Sequence, residues 1–306
     1  MAKRGAVLLL TGLPPIARQA LDAHYDIIDD IGVVRADRSV KAIVTNGRRG
    51  VTAQEIATLP NLKLVLTIGV GFENVDVAAL AARGVPLITG RGTNEDAVAD
   101  HALALLLASA RDLVRYDKFV RGGPRLEKLP SSLTNKTIGI LGLGEIGLRI
   151  ARRAEAFSMS IVYHNRRKRS DVPYEHYSDV KSLAEAADFL VVAAPGGVST
   201  YHLVAHDVLT ALGPHGRLIN IGRGEIVDTN ALISALENGV IAGAALDVFE
   251  GEPIAPPALA ALPNVILTPH VAAASPERVA AMTNYLLAHL QQHLATPALT
   301  NLGART

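Results

Sequence analysis

Three segments in the second half of the chain each place a charged or titratable residue just beyond a short apolar run. They are INIGRGEIVD with Arg223, AALDVFEGEP with Asp247, Glu250 and Glu252, and VILTPHVAAAS with His270. A guanidinium, carboxylates and an imidazole together can bind an anion and move a proton. Upstream, TIGILGLGEIGLRIARRAEAF carries Gly142-x-Gly144-x-x-Gly147 between an apolar run and a helical pattern. In that setting Gly142 permits a tight turn, Gly144 leaves backbone that a pyrophosphate can approach, and Gly147 lets helix and strand pack closely. The helix start at Glu145 and Ile146 offers free N–H groups and the positive end of a dipole to phosphates.

The next apolar run ends in IVYHNRRKRS. A site for NAD(H) usually has Asp or Glu at such a strand end to accept from the ribose 2′-OH. Here the position holds Asn165, and Arg166, Arg167, Lys168 and Arg169 follow. A neutral acceptor beside several cations removes repulsion toward a 2′-phosphate and supplies charged donors, so NADP(H) is expected over NAD(H). Lys168 and Arg169 read as a solvated turn.

Residues so far apart in sequence converge only if strands carry them to one edge of a sheet, where ligands of open α/β sheets bind. The patterning supplies such strands. Short Val-, Ile- and Leu-rich runs at Ala6–Leu10, Ala42–Thr45, Leu64–Ile68 and Val85–Ile88 alternate with helical patterns at Thr52–Leu59 and Val75–Arg83. Unbroken apolar runs suit strands covered on both faces. One long helix is expected over Asn94–Tyr116, and the Gly- and Pro-rich stretch 121–136 reads as an exposed connection and a domain boundary. Six further strands follow at Thr137–Leu141, Ile161–His164, Phe189–Ala194, Arg217–Ile221, Ile241–Leu246 and Val265–Thr268, with a last helix over Pro276–His293 that caps this domain or returns to the first. The fold class is α/β, with two doubly wound parallel-sheet domains.

With 306 residues, 49 % of them apolar, the chain is large enough for two cores. Lys and Arg total 30 against 29 Asp and Glu, so no net field draws nucleic acid or membrane. A small-molecule partner is what this leaves. Cysteine is absent, which excludes disulfides and thiolate chemistry and suits a reducing compartment. The apolar run at Ala6–Leu10 is too short for a signal peptide and Ala97–Ala110 too short for a membrane span, so a soluble cytoplasmic protein is expected. No HExxH and no GxxxxGK[ST] occur, so neither a metal site nor ATP chemistry is expected.

Taken in order, LTIGVGFENVD, TGRGTNEDAVADHALALLLA, the glycine fingerprint, the GRG segment, LDVFEGEP and TPH resemble the D-isomer-specific 2-hydroxyacid dehydrogenase family, and within it the glyoxylate and hydroxypyruvate reductases. The resemblance implies a Rossmann coenzyme domain (99–272) inserted into a flavodoxin-like substrate domain (1–98 plus 273–306), substrate in the cleft, and a homodimer through the coenzyme domains. It implies that Arg223 binds the substrate carboxylate, His270 is the acid/base, Glu252 pairs with it, and the backbone of Val70 and Gly71 completes the carboxylate cradle. Asp247 would orient the nicotinamide carboxamide, or instead hold the following turn.

The chemistry is consistent with those residue types. A planar carboxylate suits a guanidinium fork that stays charged. Hydride transfer to a carbonyl carbon builds negative charge on oxygen, which His270 can protonate and Arg223 can stabilise. Arg48 or Arg49, in TNGRRG after a strand, would add charge near a polar substrate tail, and Phe72 would line or restrict the pocket. The expected reaction is NADPH-dependent reduction of glyoxylate or hydroxypyruvate to glycolate or D-glycerate. A broader 2-keto acid reductase, accepting phenylpyruvate for example, is the second reading, and a non-catalytic NAD(P)-sensing protein a third. Retention of Arg223, Glu252 and His270 argues against the last.

Overall fold

A computed structural model of the chain describes residues 3–29, 39–123 and 129–294. The chain divides into two compact units, residues 1–94 with 275–306 and residues 95–274. Residues 295–306 of the expected substrate domain and 124–128 of the Gly- and Pro-rich stretch lie outside the described residues. That stretch falls inside the second unit and is not the boundary.

The first unit is a five-stranded parallel sheet of β1 (Ala6–Leu9), β2 (Asp26–Asp29), β3 (Val40–Thr45), β4 (Leu64–Thr67) and β5 (Leu87–Thr89), in the order β2-β1-β3-β4-β5. That is the flavodoxin-like order. Helices α1 (Pro15–Asp22), α2 (Ala53–Ala57) and α3 (Val77–Ala82) connect the strands. Alternate strand residues serve different cores. Val7, Leu9, Ala42, Val44, Leu64 and Leu66 pack with Leu21 of α1, whereas Leu8, Ile43 and Val65 pack with Ile56 and Leu80. The C-terminal helix, Pro276–Leu294, buries Met282, Leu286, Leu290 and Leu294 in the first of these cores, so it returns to this unit.

The second unit opens with α4 (Glu95–Ala110) and α5 (Leu113–Val120). The single helix expected over Asn94–Tyr116 is therefore broken. Asp112 takes a left-handed φ of 51°, which Asp tolerates better than most residues, and its carboxylate lies 3.9 Å from the buried Arg217 guanidinium. Seven parallel strands follow: β6 (Thr137–Leu141), β7 (Ser160–His164), β8 (Glu175–His176), β9 (Phe189–Val192), β10 (Arg217–Asn220), β11 (Gly243–Leu246) and β12 (Val265–Leu267). Their order is β12-β11-β10-β9-β6-β7-β8, so the direction reverses between β6 and β9, where the glycine fingerprint lies. Helices α4 and α6 (Glu145–Glu155) cover one face, while α7 (Val180–Glu185), α8 (His206–Leu212), α9 (Thr229–Glu237) and the short α10 (Pro257–Ala260) cover the other. Two strands, β2 and β8, were not expected. Both are edge strands with polar or charged ends, and neither carries the apolar run of a doubly covered strand.

Candidate active site

The turn between β6 and α6 is shaped by its glycines. Gly142 has φ 100°, a conformation open to few side chains. A Cβ on Gly147 would collide with the Gly142 carbonyl, so helix and strand meet at a distance only glycine allows. A Cβ on Gly144 would meet nothing within 4 Å, and no side chain caps the start of α6. Glu145 and Ile146 thus present the unfilled N–H groups of a helix start beside open space. The Glu145 side chain pairs with Arg149 at 2.9 Å. These features fit the phosphates of a dinucleotide.

At the end of β7, Asn165 braces this loop. Its Oδ1 accepts from Leu143 N at 2.7 Å and its amide donates to Leu143 O at 3.4 Å. Arg169 is not the solvated residue expected. Its guanidinium donates to Leu143 O at 2.9 Å and pairs with Asp171, and its backbone N–H donates to the Tyr163 hydroxyl. Arg166, Arg167 and Lys168 are exposed.

Arg223 follows β10 and is half-buried. Its backbone is set by Asn220, a 1 % exposed residue not singled out from sequence. Asn220 Oδ1 accepts from Gly222 N at 3.0 Å, and its amide donates to Arg223 O at 3.1 Å. Its signal was a polar residue closing an apolar strand. The Arg223 Nη1 donates to Gly222 O at 2.8 Å.

His270 and Glu252 are brought together, with Nδ1 of the ring 2.8 Å from Glu252 Oε2. Glu252 is 14 % exposed and His270 is 48 % exposed, so the carboxylate is sheltered while the imidazole is open to a reactant. Glu250 is directed elsewhere, to His202 Nε2 at 2.9 Å and Thr229 N at 3.1 Å.

Asp247, after β11, holds the turn that carries His270. Its Oδ1 accepts from Thr268 Oγ1 at 2.6 Å and Val271 N at 2.9 Å, and its Oδ2 accepts from Ala272 N at 2.9 Å. Burial alone would raise its pKa. The nearby His101 imidazole, the Thr268 hydroxyl and the Val271 and Ala272 amides outweigh that and hold the carboxyl at about 2. The folded value is therefore below the unfolded one, so the stabilisation is complete above about pH 4 and is lost as pH falls toward 2. It amounts to roughly 2 kcal/mol at about 1.4 kcal/mol per pKa unit. The stability difference between the protein and Asp247→Asn, read by denaturant unfolding, is expected to shrink from pH 6 to pH 3. A constant difference would contradict the assignment.

In the first unit, Val70 and Gly71 lie in the loop after β4, half-buried. This loop is joined to the one after β3: Asn74 N donates to Gly47 O at 3.3 Å, Val51 N to Asn74 O at 3.1 Å, and Asn74 Nδ2 to Arg48 O at 2.8 Å. The Arg49 guanidinium is held by Glu55 at 2.5 Å, and Glu55 also closes the capping box of α2. Arg49 is thus paired with a carboxylate of its own unit. Phe72 is 46 % exposed.

Among the described residues, no cluster of three or more His, Asp or Glu is arranged to hold a metal ion, and no helix is long and apolar enough to cross a membrane.

Comparison with known proteins agrees with this geometry. The family model "D-isomer specific 2-hydroxyacid dehydrogenase, NAD binding domain" matches residues 103–272. The chain is 42 % identical over 264 residues to glyoxylate/hydroxypyruvate reductase A HPR2 of Arabidopsis thaliana, covering 85 % of this chain and 84 % of that protein. It is 38 % identical over 306 residues to hydroxyphenylpyruvate reductase of Plectranthus scutellarioides, covering 96 % and 97 %. The crystal structure of the NADPH-dependent glyoxylate/hydroxypyruvate reductase of Sinorhizobium meliloti with NADP and malonate superposes with a TM-score of 0.88 at 40 % identity, covering 96 % and 95 %. With a dinucleotide turn at the sheet's switch point and an imidazole–carboxylate pair at its carboxyl edge, the chain belongs to the D-isomer-specific 2-hydroxyacid dehydrogenase family and is an NAD(P)-dependent oxidoreductase.

Proposed function

We propose that the chain reduces glyoxylate and hydroxypyruvate to glycolate and D-glycerate, with NADPH preferred over NADH. The observation that carries this is the 2.8 Å Glu252–His270 pair, on turns that leave the same carboxyl edge of the sheet as Arg223. NADPH, when bound, supplies the hydride. Arg223 grips the substrate carboxylate and stabilises charge on the carbonyl oxygen. His270 delivers a proton to that oxygen from Nε2, while Glu252 at Nδ1 orients the ring. Val70 and Gly71 keep the carboxylate-binding role that the family resemblance implies. Arg166 and Arg167 are assigned to the 2′-phosphate, and Asn165 acts there through the loop that it braces.

A broader keto acid range is the second reading, favoured by the exposed Phe72 and by the similarity to a hydroxyphenylpyruvate reductase. Initial rates of NADPH and NADH oxidation with hydroxypyruvate, glyoxylate, pyruvate and phenylpyruvate separate the two. Preference for the first two with NADPH is expected. A higher kcat/KM for phenylpyruvate would favour the broader range, and no turnover with any of the four would reject the proposal. The exposed apolar residues Leu113, Val114, Phe119 and Val120 of α5 support a homodimer through the coenzyme-binding unit. Gel filtration of the same preparation at the mass of a single 32.2 kDa chain would contradict it.

A further inference from the structure

His101 stands on α4, whose residues Ala99, Ala102 and Leu106 share a core with Ala245 and Ala272. Its Nε2 lies 3.0 Å from Thr268 Oγ1 and 3.4 Å from Asp247 Oδ1, and Thr268 Oγ1 lies 2.6 Å from the same Oδ1. Proton accounting fixes the direction of this chain. The ionised carboxylate only accepts, so Thr268 gives it its one hydroxyl proton, and Thr268 Oγ1 must then accept from His101. Nε2 therefore carries hydrogen whether the His101 ring is neutral or charged.

The chain ends at the groups on either side of His270. The Asp247 carboxylate accepts the Val271 and Ala272 N–H groups, and the Asp247 carbonyl accepts the His270 N–H at 2.9 Å. His270 itself has φ 55°. A non-glycine residue in that region is strained and persists where its surroundings over-determine it.

We propose that His101 is a positioning residue for the reaction, acting through Thr268 and Asp247 to hold the 268–272 turn and so aim the His270 ring. The inference rests on His270 being the proton donor. A side chain that merely fastened α4 to the sheet would affect folding alone. One that aims His270 affects turnover, because a misplacement of about 1 Å costs on the order of a hundredfold.

Steady-state kinetics with hydroxypyruvate and NADPH test this. His101→Leu is expected to lower kcat about tenfold to a hundredfold while both KM values stay within about twofold. His101→Gln, which keeps an N–H donor, recovers most of the loss. Thr268→Val reproduces the loss and Thr268→Ser recovers it. The double variant H101L/T268V falls no further than either single variant, since both interrupt one chain. Wild-type kcat in H101L, equal impairment in H101Q and H101L, or multiplying losses would each overturn the proposal. Should H101L not fold, H101Q and the Thr268 pair still decide it. Failure of the wild-type protein to turn over would instead count against the functional reading.

Discussion

Replacing His270 by glutamine is expected to lower kcat for hydroxypyruvate by about 10²–10⁴-fold, the usual contribution of a positioned general acid. That is roughly 3–5 kcal/mol of transition-state stabilisation. The KM for substrate should change little, because Arg223, not His270, carries the carboxylate-binding role. Glu252→Gln should fall between the wild type and His270→Gln. It keeps a side chain of the same length beside Nδ1, yet replaces the carboxylate acceptor that orients the ring by an amide. Arg223→Lys should differ from both by raising KM as well as lowering kcat, since a point charge cannot reproduce the fork. If His270→Gln retained kcat within a few-fold, the proton would have to come from elsewhere. The Glu252 pair would then be a structural contact only.

The second large effect concerns the coenzyme. Changing Arg166 and Arg167 together to glutamate should reverse the ratio of kcat/KM for NADPH to that for NADH by about two orders of magnitude or more. Each lost charge-assisted contact to the 2′-phosphate is worth roughly 1.5–3 kcal/mol, less where solvent screens it, and each new carboxylate repels that group. The loss should sit in the KM for NADPH, with kcat for NADH near the wild-type value. Asn165→Ala should act differently. Because Asn165 is bonded to both backbone groups of Leu143, its loss should weaken both coenzymes by loosening the glycine turn. A coenzyme ratio unchanged in the double glutamate variant would remove Arg166 and Arg167 from the phosphate site.

Much of this organisation is already present in local patterning. The glycine fingerprint and the strands on both sides of it are readable because each depends on residue type and spacing within a few turns of chain, whereas the pairing of Glu252 with His270 was implied by the family resemblance, and the structure brings the two side chains to 2.8 Å. Strands buried on both faces appear as largely apolar runs, and such runs mark the central strands of both sheets. The edge strands β2 and β8 do not stand out in the sequence because AspIleIleAsp and GluHis carry no such run, unlike the other two edge strands, β5 and β12.

Which group meets which was settled by the tertiary structure. From sequence, Asp247 was open to two roles. Its three hydrogen bonds from residues 21 to 25 positions later bind it to the turn of His270. Arg169 looked solvated, yet it closes on Leu143, 26 residues earlier. His101 is one of several polar residues of α4, and its partner Thr268 lies 167 residues away. The C-terminal helix had two possible destinations until Met282, Leu286 and Leu290 were found in the core of the first unit. Periodicity records which face of an element is hidden from water. It carries no information about the partner that hides it, because hydrogen bonds and packing contacts are made across the fold by segments whose separation along the chain is arbitrary.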